Sequence, residues 1–441
     1  MSHEARTEIY AQNLAALIRY ETVSINDVDQ ADKYHGFHDL LRRTFPHIFA
    51  AVELEDFDGS LLLRWPGSDP SAQPVCFMNH MDVVEAAGDW SHPPFGGDIA
   101  DGRVWGRGTL DTKRGLWGML QAADDLAAAG FTPARDIYFE SACTEETDGR
   151  GCDRISRTLQ ERGVRFAWCL DEGGMILQEP VSGAKGLFAM VGVGEKTVVT
   201  LRFIAKSHGG HASTPGKDTS LVRLGRFMAE VEASQVFKVE FSPVIARMLQ
   251  VMAPTVSGPL GFVFAHPQGF APILRSVMPK MSGAAKALMQ TTIAFTMASG
   301  SDGYNVLPAQ AWVVGNMRCS HHQPADESIA AISAIAAKHD LEVEVLEHDI
   351  DSPLSSFEGA AFKLIERAVN EVFPGVITSP YIMTGCSDSR FMARICDDCM
   401  RFSPFTITHE QMDSIHGIDE SVDLSCLVPA VDFYRFLMTN A

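Results

Sequence analysis

The sequence is short of basic residues: 36 Lys and Arg stand against 56 Asp and Glu, a formal net charge of −20 over 441 residues. That deficit argues against the basic face with which a protein grips nucleic acid or an anionic membrane. No apolar run approaches the ~18 residues needed to cross a bilayer, so no membrane association is expected. The opening residues, MSHEARTEIYAQNL, contain no apolar core of a secretory signal. The nine cysteines are odd in number and scattered through apparent core strands. They predict reduced thiols in a cytoplasmic setting rather than a disulfide framework. Cys396-Asp-Asp-Cys399 is a lone CxxC with no second pair, and the spacing alone is read as incidental. There is no internal repeat and no low-complexity linker.

What is present is ordinary globular composition, 46% hydrophobic and 21% charged, in a chain long enough to predict two domains. Apolar periodicity predicts helices over residues 7–20, 38–45, 115–129 and 153–162. Strands are predicted over residues 61–65, 75–78, 135–142 and 166–170. Strands alternating with helices imply an α/β fold with a mostly parallel sheet. The pattern changes after Gly186. A strand at 197–205, a helix at 220–232, two strands within 305–318, a helix at 326–338 and a strand at 341–349 follow the order of a ferredoxin-like unit. Residues 237–301, rich in Met, Pro and Phe, interrupt that unit and are read as an insertion. It is assigned to lid core or a dimer contact, with the lining of an acyl pocket as the alternative. The α/β pattern resumes with a helix reaching Phe373, a strand at 377–383 and a closing helix from Leu427. The predicted organisation is a catalytic domain in two segments, 1–186 and 353–441, around an inserted domain at 187–352.

The chemistry gathers at strand ends. An open α/β sheet places its reactive groups beyond the carboxyl ends of its strands. His80 and Asp82 close the run PVCFM, Asp111 sits in a Gly-rich turn before a helix, Glu145 and Glu146 close IYFESA, and Asp171 and Glu172 close the strand at 166–170. One His-x-Asp occurs by chance; imidazole and carboxylates at successive strand and turn ends point to one metal centre. Nitrogen and carboxylate donors without thiolate suit zinc, with cobalt or manganese as alternatives. His80, Asp111, Glu146, Asp171 and one more distant ligand are the expected donors to two divalent ions, with Asp111 able to bridge them. Glu145 can take a proton from a metal-activated water and deliver it to a leaving nitrogen. Asp82 can orient the His80 imidazole.

The segments HMDVV, WSHPPF, DGRVWGRGTLDTKRG, TEETDG, LDEGG, GGHASTP, NVLPAQAWVVGNMR, GCSDSRF and IHGIDE occur here in a familiar order. The chain resembles the aminoacylase-1, carboxypeptidase G and Gly-Xaa carboxypeptidase family of di-zinc amidohydrolases, the twentieth metallopeptidase family. The likeness covers nearly the whole chain outside residues 237–301. It implies a zinc-peptidase-like catalytic domain with a ferredoxin-like lid and dimerisation domain. It also implies His80 and Asp171 on one zinc, Glu146 and His416 on the other, Asp111 bridging, and a cis bond at Asp111–Thr112. Glu145 takes the role of general base for attack by a metal-bridging water. His211 is implied to stabilise the oxyanion, reaching the partner's metals across a homodimer. Asn305 and Arg318 are the implied substrate-binding pair, and the turn beginning at Gly385 the backbone contact for a substrate carboxylate.

Some positions depart from the family pattern. Glu85 follows HMDVV where Pro is common, and Gly385-Cys386-Ser387 replaces the commoner Gly-Gly-Thr or Gly-Thr-Thr. His208 has no role there, and His321 and His322 are expected on the surface. The resulting expectation is a metal-dependent amidohydrolase acting on N-acyl amino acids or short peptides with a free carboxylate, the planar fork of Arg318 suiting that group. The alternatives are a dipeptidase or aminopeptidase of the same fold, or a non-catalytic metal-bound paralogue. The intact ligand positions and Glu145 argue against the last.

Overall fold

The computed structural model describes residues 2–26 and 31–441. Its larger unit is built on a ten-stranded mixed sheet. Four strands at the centre, Ile137–Ser141, Val75–Met78, Cys169–Asp171 and Cys399–Arg401, lie side by side and parallel. Each is buried along its whole length. Burial on both faces is why they read as continuous apolar runs rather than alternating ones. One face carries the helices His3–Arg19, Lys113–Ala128, Ala360–Val372 and Leu427–Asn440, packed around Phe77, Trp117 and Phe433. The other carries Arg150–Glu161 over Ile155, Leu159 and Phe166. Helix Lys113–Ala128 approaches the sheet so closely that a Cβ at Gly115 would lie 1.8 Å from Asn79 Oδ1. Glycine there lets the helix start, and with it Asp111, sit at the strand end.

A small three-stranded sheet, Asp98–Ala100, Arg103–Trp105 and Ser421–Asp423, joins the Gly-rich turn to the C-terminal segment. The smaller unit is a four-stranded antiparallel sheet in the order Thr292–Ser299, Gln310–Cys319, Thr197–Lys206, Glu342–His348. Helices Ser220–Ala233 and Ala325–Lys338 pack on it around Phe203, Phe227 and Ile332. That is the ferredoxin-like arrangement, although its second strand is not where the sequence pointed. Thr292–Ser299 fills that place from inside the stretch read as insertion, whereas Val306–Leu307 forms only a short ribbon with Gly210–His211.

Three further expectations are corrected. Strand Leu187–Glu195 belongs to the larger sheet, pairing with Ile377–Met383 and Ile176–Gln178, although the lid was expected to begin at residue 187. The chain passes from one sheet to the other through Lys196, so the apolar pattern runs on without a break. The inserted helices, Pro243–Met252 foremost, do not form lid core. Ile245, Leu249 and Met252 pack with Phe188 and Met190 against Ile377 and Tyr381, covering the larger sheet. His321 is not a surface residue either: it packs against Gly194 between the two units.

Leu249→Ala is therefore expected to destabilise the larger unit by ~2–5 kcal/mol, the cost of truncating a buried leucine. Urea unfolding monitored by tryptophan fluorescence measures it. A change below about 0.5 kcal/mol, the range of surface substitutions, would contradict this packing.

Candidate metal centre and active site

The carboxyl ends of the parallel strands and the turns beside them bring the predicted groups together. His80 Nδ1 lies 3.0 Å from the backbone carbonyl of Asp82 and donates to it, which leaves Nε2 as a free donor atom toward the cleft. That Nε2 is 3.1 Å from Asp111 Oδ1. The other Asp111 oxygen, Oδ2, is 3.1 Å from His416 Nε2, which is also 3.2 Å from Glu146 Oε2. Asp111 thus presents one oxygen to each of two imidazoles. The Asp111–Thr112 bond is cis, and His416 adopts a left-handed backbone at φ 60°. His80, Asp111 and Glu146 each offer a ligand atom within 4.8 Å of the others.

Backbone amides hold this arrangement. Asp82 accepts from Glu145 N–H and Glu146 N–H at 3.3 and 3.1 Å and from the Ser24 hydroxyl at 2.8 Å. Its Oδ1 is 3.4 Å from His80 Nδ1, so it fixes both the imidazole and the paired glutamates. The Asp111 turn is held by Glu420, which the sequence reading missed although it ends the IHGIDE segment. Fully buried, Glu420 accepts from Leu110 N–H at 2.5 Å, Asp111 N–H at 3.0 Å and Arg107 Nη1 at 2.8 Å.

Asp171 is the one expected ligand that the cluster leaves aside. Its two oxygens accept from the Glu172 and Ser389 amides, at 2.8 and 2.7 Å. The neighbouring Glu172 is the carboxylate whose charged surroundings are Asp111, Asp171, His80 and Glu145. Successive residues of a strand point to opposite sides, so only one of the pair can face the cleft. Glu145 lies 4.0 Å from His80 Nε2 and 4.0 Å from Arg390 Nη1. Arg390, also missed, pairs with Asp349 at 2.7 Å.

The remaining predicted residues fall in two places. Arg318 reaches from the smaller sheet to the turn after Gly385: its Nη1 is 3.6 Å from Cys386 Sγ. His211 and Asn305 sit together on the exposed ribbon of the smaller unit, where Ala212 N–H donates to the Asn305 carbonyl at 2.9 Å. The His211 Nδ1 is held by Ser213 Oγ at 2.7 Å.

The profile of the peptidase family M20/M25/M40 matches residues 76–440. The chain belongs to that family. It is 30% identical over 447 residues to the probable carboxypeptidase S-like 2 of Dictyostelium discoideum, covering 98% of this chain and 84% of that one. It is 33% identical over 412 residues to the human N-fatty-acyl-amino acid synthase/hydrolase PM20D1, covering 92% and 82%. Among solved structures, the M20 metallo-carboxypeptidase Sso-CP2 of Sulfolobus solfataricus superposes with a TM-score of 0.72 at 14% identity, covering 100% of this chain and 99% of that one. The yeast dipeptidase Dug1p gives 0.68 at 15%, covering 99% and 97%. The chain is thus a hydrolase of the M20 metallopeptidases, a family that works with divalent metal ions. Among the described residues no helix is long and apolar enough to cross a membrane.

The protonation of the cluster suits such ions. Burial pushes Glu145 up to about 8 and raises Glu146 and Glu172. Burial works against a charged His80, yet hydrogen bonds to Asp111 and Asp82 outweigh it and hold the imidazole well above 6.5. Asp111 and Glu146 lift His416 to about 10. Asp111 is opposed by burial, but its hydrogen bonds to His416 and His80 keep it below the usual carboxylate range. The metal-free centre therefore carries protons at neutral pH that a cation must displace.

Groups held above their unfolded values stabilise fully below those values and lose that contribution as pH rises through the raised ones. Asp111 has the opposite sign, and its contribution is lost only in acid. Metal-free protein is expected to lose thermal stability as pH rises from 4.5 through 10, the span set by Glu145 and His416. Added divalent ion should flatten that slope and release protons at pH 7. Melting curves across pH and pH-stat titration check both; a metal-free melting temperature that is flat or rising over that span would contradict the assignment.

Proposed function

We propose that this enzyme hydrolyses the amide bond of an N-acyl amino acid or short peptide whose carboxylate is free, over two divalent ions. The observation that carries the reading is Asp111, whose two oxygens face different imidazoles, His80 and His416, with Glu145 beside the first. His80 and Glu172 would hold one ion, His416 and Glu146 the other, and Asp111 both. Glu172 replaces Asp171 in that role because both Asp171 oxygens are already engaged by backbone amides. Imidazole and carboxylate donors without thiolate fit zinc, with cobalt or manganese as alternatives. Bound there, the ions supply Lewis-acid polarisation of the scissile carbonyl and acidify water.

The chain's own groups do the rest. Glu145, lifted toward neutrality by burial, takes a proton from the attacking water and returns it to the departing nitrogen. Asp82 keeps His80 in the tautomer that leaves Nε2 free. Arg318, with the turn from Gly385, grips the substrate carboxylate; a guanidinium matches that group with two parallel hydrogen bonds. The names of the relatives, carboxypeptidase S-like and N-fatty-acyl-amino acid synthase/hydrolase, agree with a product bearing a free carboxylate. His211 and Asn305 reach a second copy's cleft in a homodimer formed through the lid, each chain completing the other's site.

Amidation of the substrate carboxylate should lower kcat/KM by roughly one to two decades, the worth of a charge-assisted hydrogen bond, and Arg318→Ala should erase most of that difference. Equal hydrolysis of acid and amide would favour an aminopeptidase instead.

Glu145→Gln should cost at least ~10²–10⁴-fold in kcat while leaving metal content intact. His211→Ala should also be nearly inactive, yet dimers assembled from equal amounts of the two variants should recover about a quarter of wild-type activity. Absence of recovery in demonstrably mixed dimers would place His211 in its own chain's reaction or in none.

A further inference from the structure

Strand Ile137–Ser141 carries an acid in the middle of the core. Ile137 and Phe139 belong to the apolar layer around Trp117, and Tyr138 and Ala142 to the layer on the other side of the sheet, with Ile155 and Leu159. Side chains alternate along a strand, so Glu140 shares the second face with Tyr138 and Ala142. Its neighbours on the adjacent strands are Leu62 and Met78. Glu140 is 1% exposed. Two more groups meet it there. Cys152, fully buried, comes from the first turn of helix Arg150–Glu161. Asp388, 3% exposed, comes from the turn that begins at Gly385. Each of the three offers a ligand atom within 4.8 Å of the other two.

Their carboxylate oxygens stand without partners. Glu140 Oε1 and both side-chain oxygens of Asp388 accept no hydrogen bond. Buried polar atoms of folded proteins are almost always paired, and those left over mark strain or a bound water or ion. Asp82 and Asp171 nearby are satisfied by backbone amides, so these two carboxyls are exceptions in their own neighbourhood. Arg390, two residues past Asp388, is engaged elsewhere: its Nη1 donates to the Ser387 carbonyl at 2.6 Å, and its Nε lies 2.7 Å from Asp349 Oδ2. The Cys152 thiol donates to the Asp388 backbone carbonyl at 3.5 Å and is a hydrogen-bonding neighbour of the Glu140 carboxyl. Burial raises both carboxyls well above the ordinary range, so each keeps its proton unless a cation takes its place.

We propose that Glu140, Cys152 and Asp388 form a site for one further divalent ion of the zinc type, buried behind the catalytic centre and distinct from it. Metal–oxygen bonds of ~2.0–2.2 Å and a metal–sulfur bond of ~2.3 Å set neighbouring ligand atoms roughly 3.5 Å apart, inside the present spacing. Asp388, with two unpartnered oxygens, can bind through both and so supply a fourth donor. The single thiolate favours zinc over magnesium or calcium, which prefer oxygen throughout. All three ligands are buried, so the site is structural and takes no substrate. Each ligand gives up its proton as the ion enters. The ion would tie together the strand that leads to Glu145, the helix after it, and the turn from Gly385, whose Ser389 amide holds Asp171. It does so whatever reaction the cleft performs.

Protein produced in cobalt(II)-containing medium, so that the ion is present as the chain folds, tests the site without recourse to activity. The catalytic donors are nitrogen and oxygen, so a near-ultraviolet thiolate-to-cobalt charge-transfer band reports a cysteine ligand. Wild-type protein should show that band with the intensity of one sulfur–cobalt bond per chain. Cys152→Ser should abolish it and lower the cobalt content by one equivalent, and Glu140→Gln should weaken it. His416→Ala, in the catalytic centre, should leave it in place, which separates this site from the reading of the cleft. Cys396→Ser should also leave it, because the sulfurs of Cys169, Cys396 and Cys399 form the other thiol group of the core. Loss of the band in Cys396→Ser but not in Cys152→Ser would overturn the proposal. So would a wild-type protein without the band, whose infrared spectrum shows the carbonyl stretch of protonated carboxyls; Glu140 and Asp388 would then be a pair of neutral acids. The wild-type spectra decide the matter even if a variant fails to fold.

Discussion

Six carboxylates, those of Asp82, Asp111, Glu145, Glu146, Asp171 and Glu172, gather at the strand and turn ends around one cleft, and their mutual repulsion is the constraint that the surrounding structure answers. A buried carboxylate is tolerated when charge-assisted hydrogen bonds satisfy it. Asp82 and Asp171 are satisfied by backbone amides, and Glu420 behind the cleft by amides and Arg107. These carboxylates are spent on holding loops. Asp111, Glu145, Glu146 and Glu172 are turned toward the imidazoles and toward one another. The division between carboxylates that serve the backbone and those that face the cleft is therefore set by where amides point.

That division was beyond the sequence at one position. The strand at 75–78 is legible because a strand covered on both faces is an unbroken apolar run, and the structure reproduces both its ends and those of the strand at 377–383. His80, Asp111, Glu145, Glu146 and His416 follow from their motifs. Asp171 and Glu172 are adjacent acids at a strand end, and the side each takes depends on the pleat and on the Ser389 amide, which lies 218 residues away. The lid boundary was misplaced for a related reason: Leu187–Glu195 and Thr197–Lys206 form one extended run whose hydrogen-bond partners, not its composition, divide it between two sheets. The Thr292–Ser299 strand lay hidden in Met- and Phe-rich sequence, because a half-exposed edge strand has no strong pattern of its own. The meeting of Cys169 with Cys396 and Cys399 depends on strand register, which no local spacing encodes.

The two units meet where the chemistry is. Arg318 of the smaller sheet touches Cys386 of the larger unit, and Asp349, at the lid's exit, pairs with Arg390. Arg390 in turn stands 4.0 Å from Glu145. On the roles proposed for Arg318 and Glu145, a change in lid position would alter both the grip on substrate and the charge beside the base, through these two contacts rather than through the metal ligands.

The position of strand Cys399–Arg401, between Cys169–Asp171 and Leu187–Glu195, bears on how the protein is made. The ribosome delivers everything through residue 398 before that strand exists, so the nascent larger sheet has a gap at its centre, flanked by two unpaired edges. Such edges are templates for the wrong partner. The inserted unit, whose strands and helices all come from residues 197–348, can close its own sheet well before then. Translation thus presents a finished lid on an unfinished core, and both His416 and the strand that seals the sheet emerge after it. A chain stopped before residue 399 would leave the buried faces of the strands on either side of that gap without the neighbour that closes the sheet.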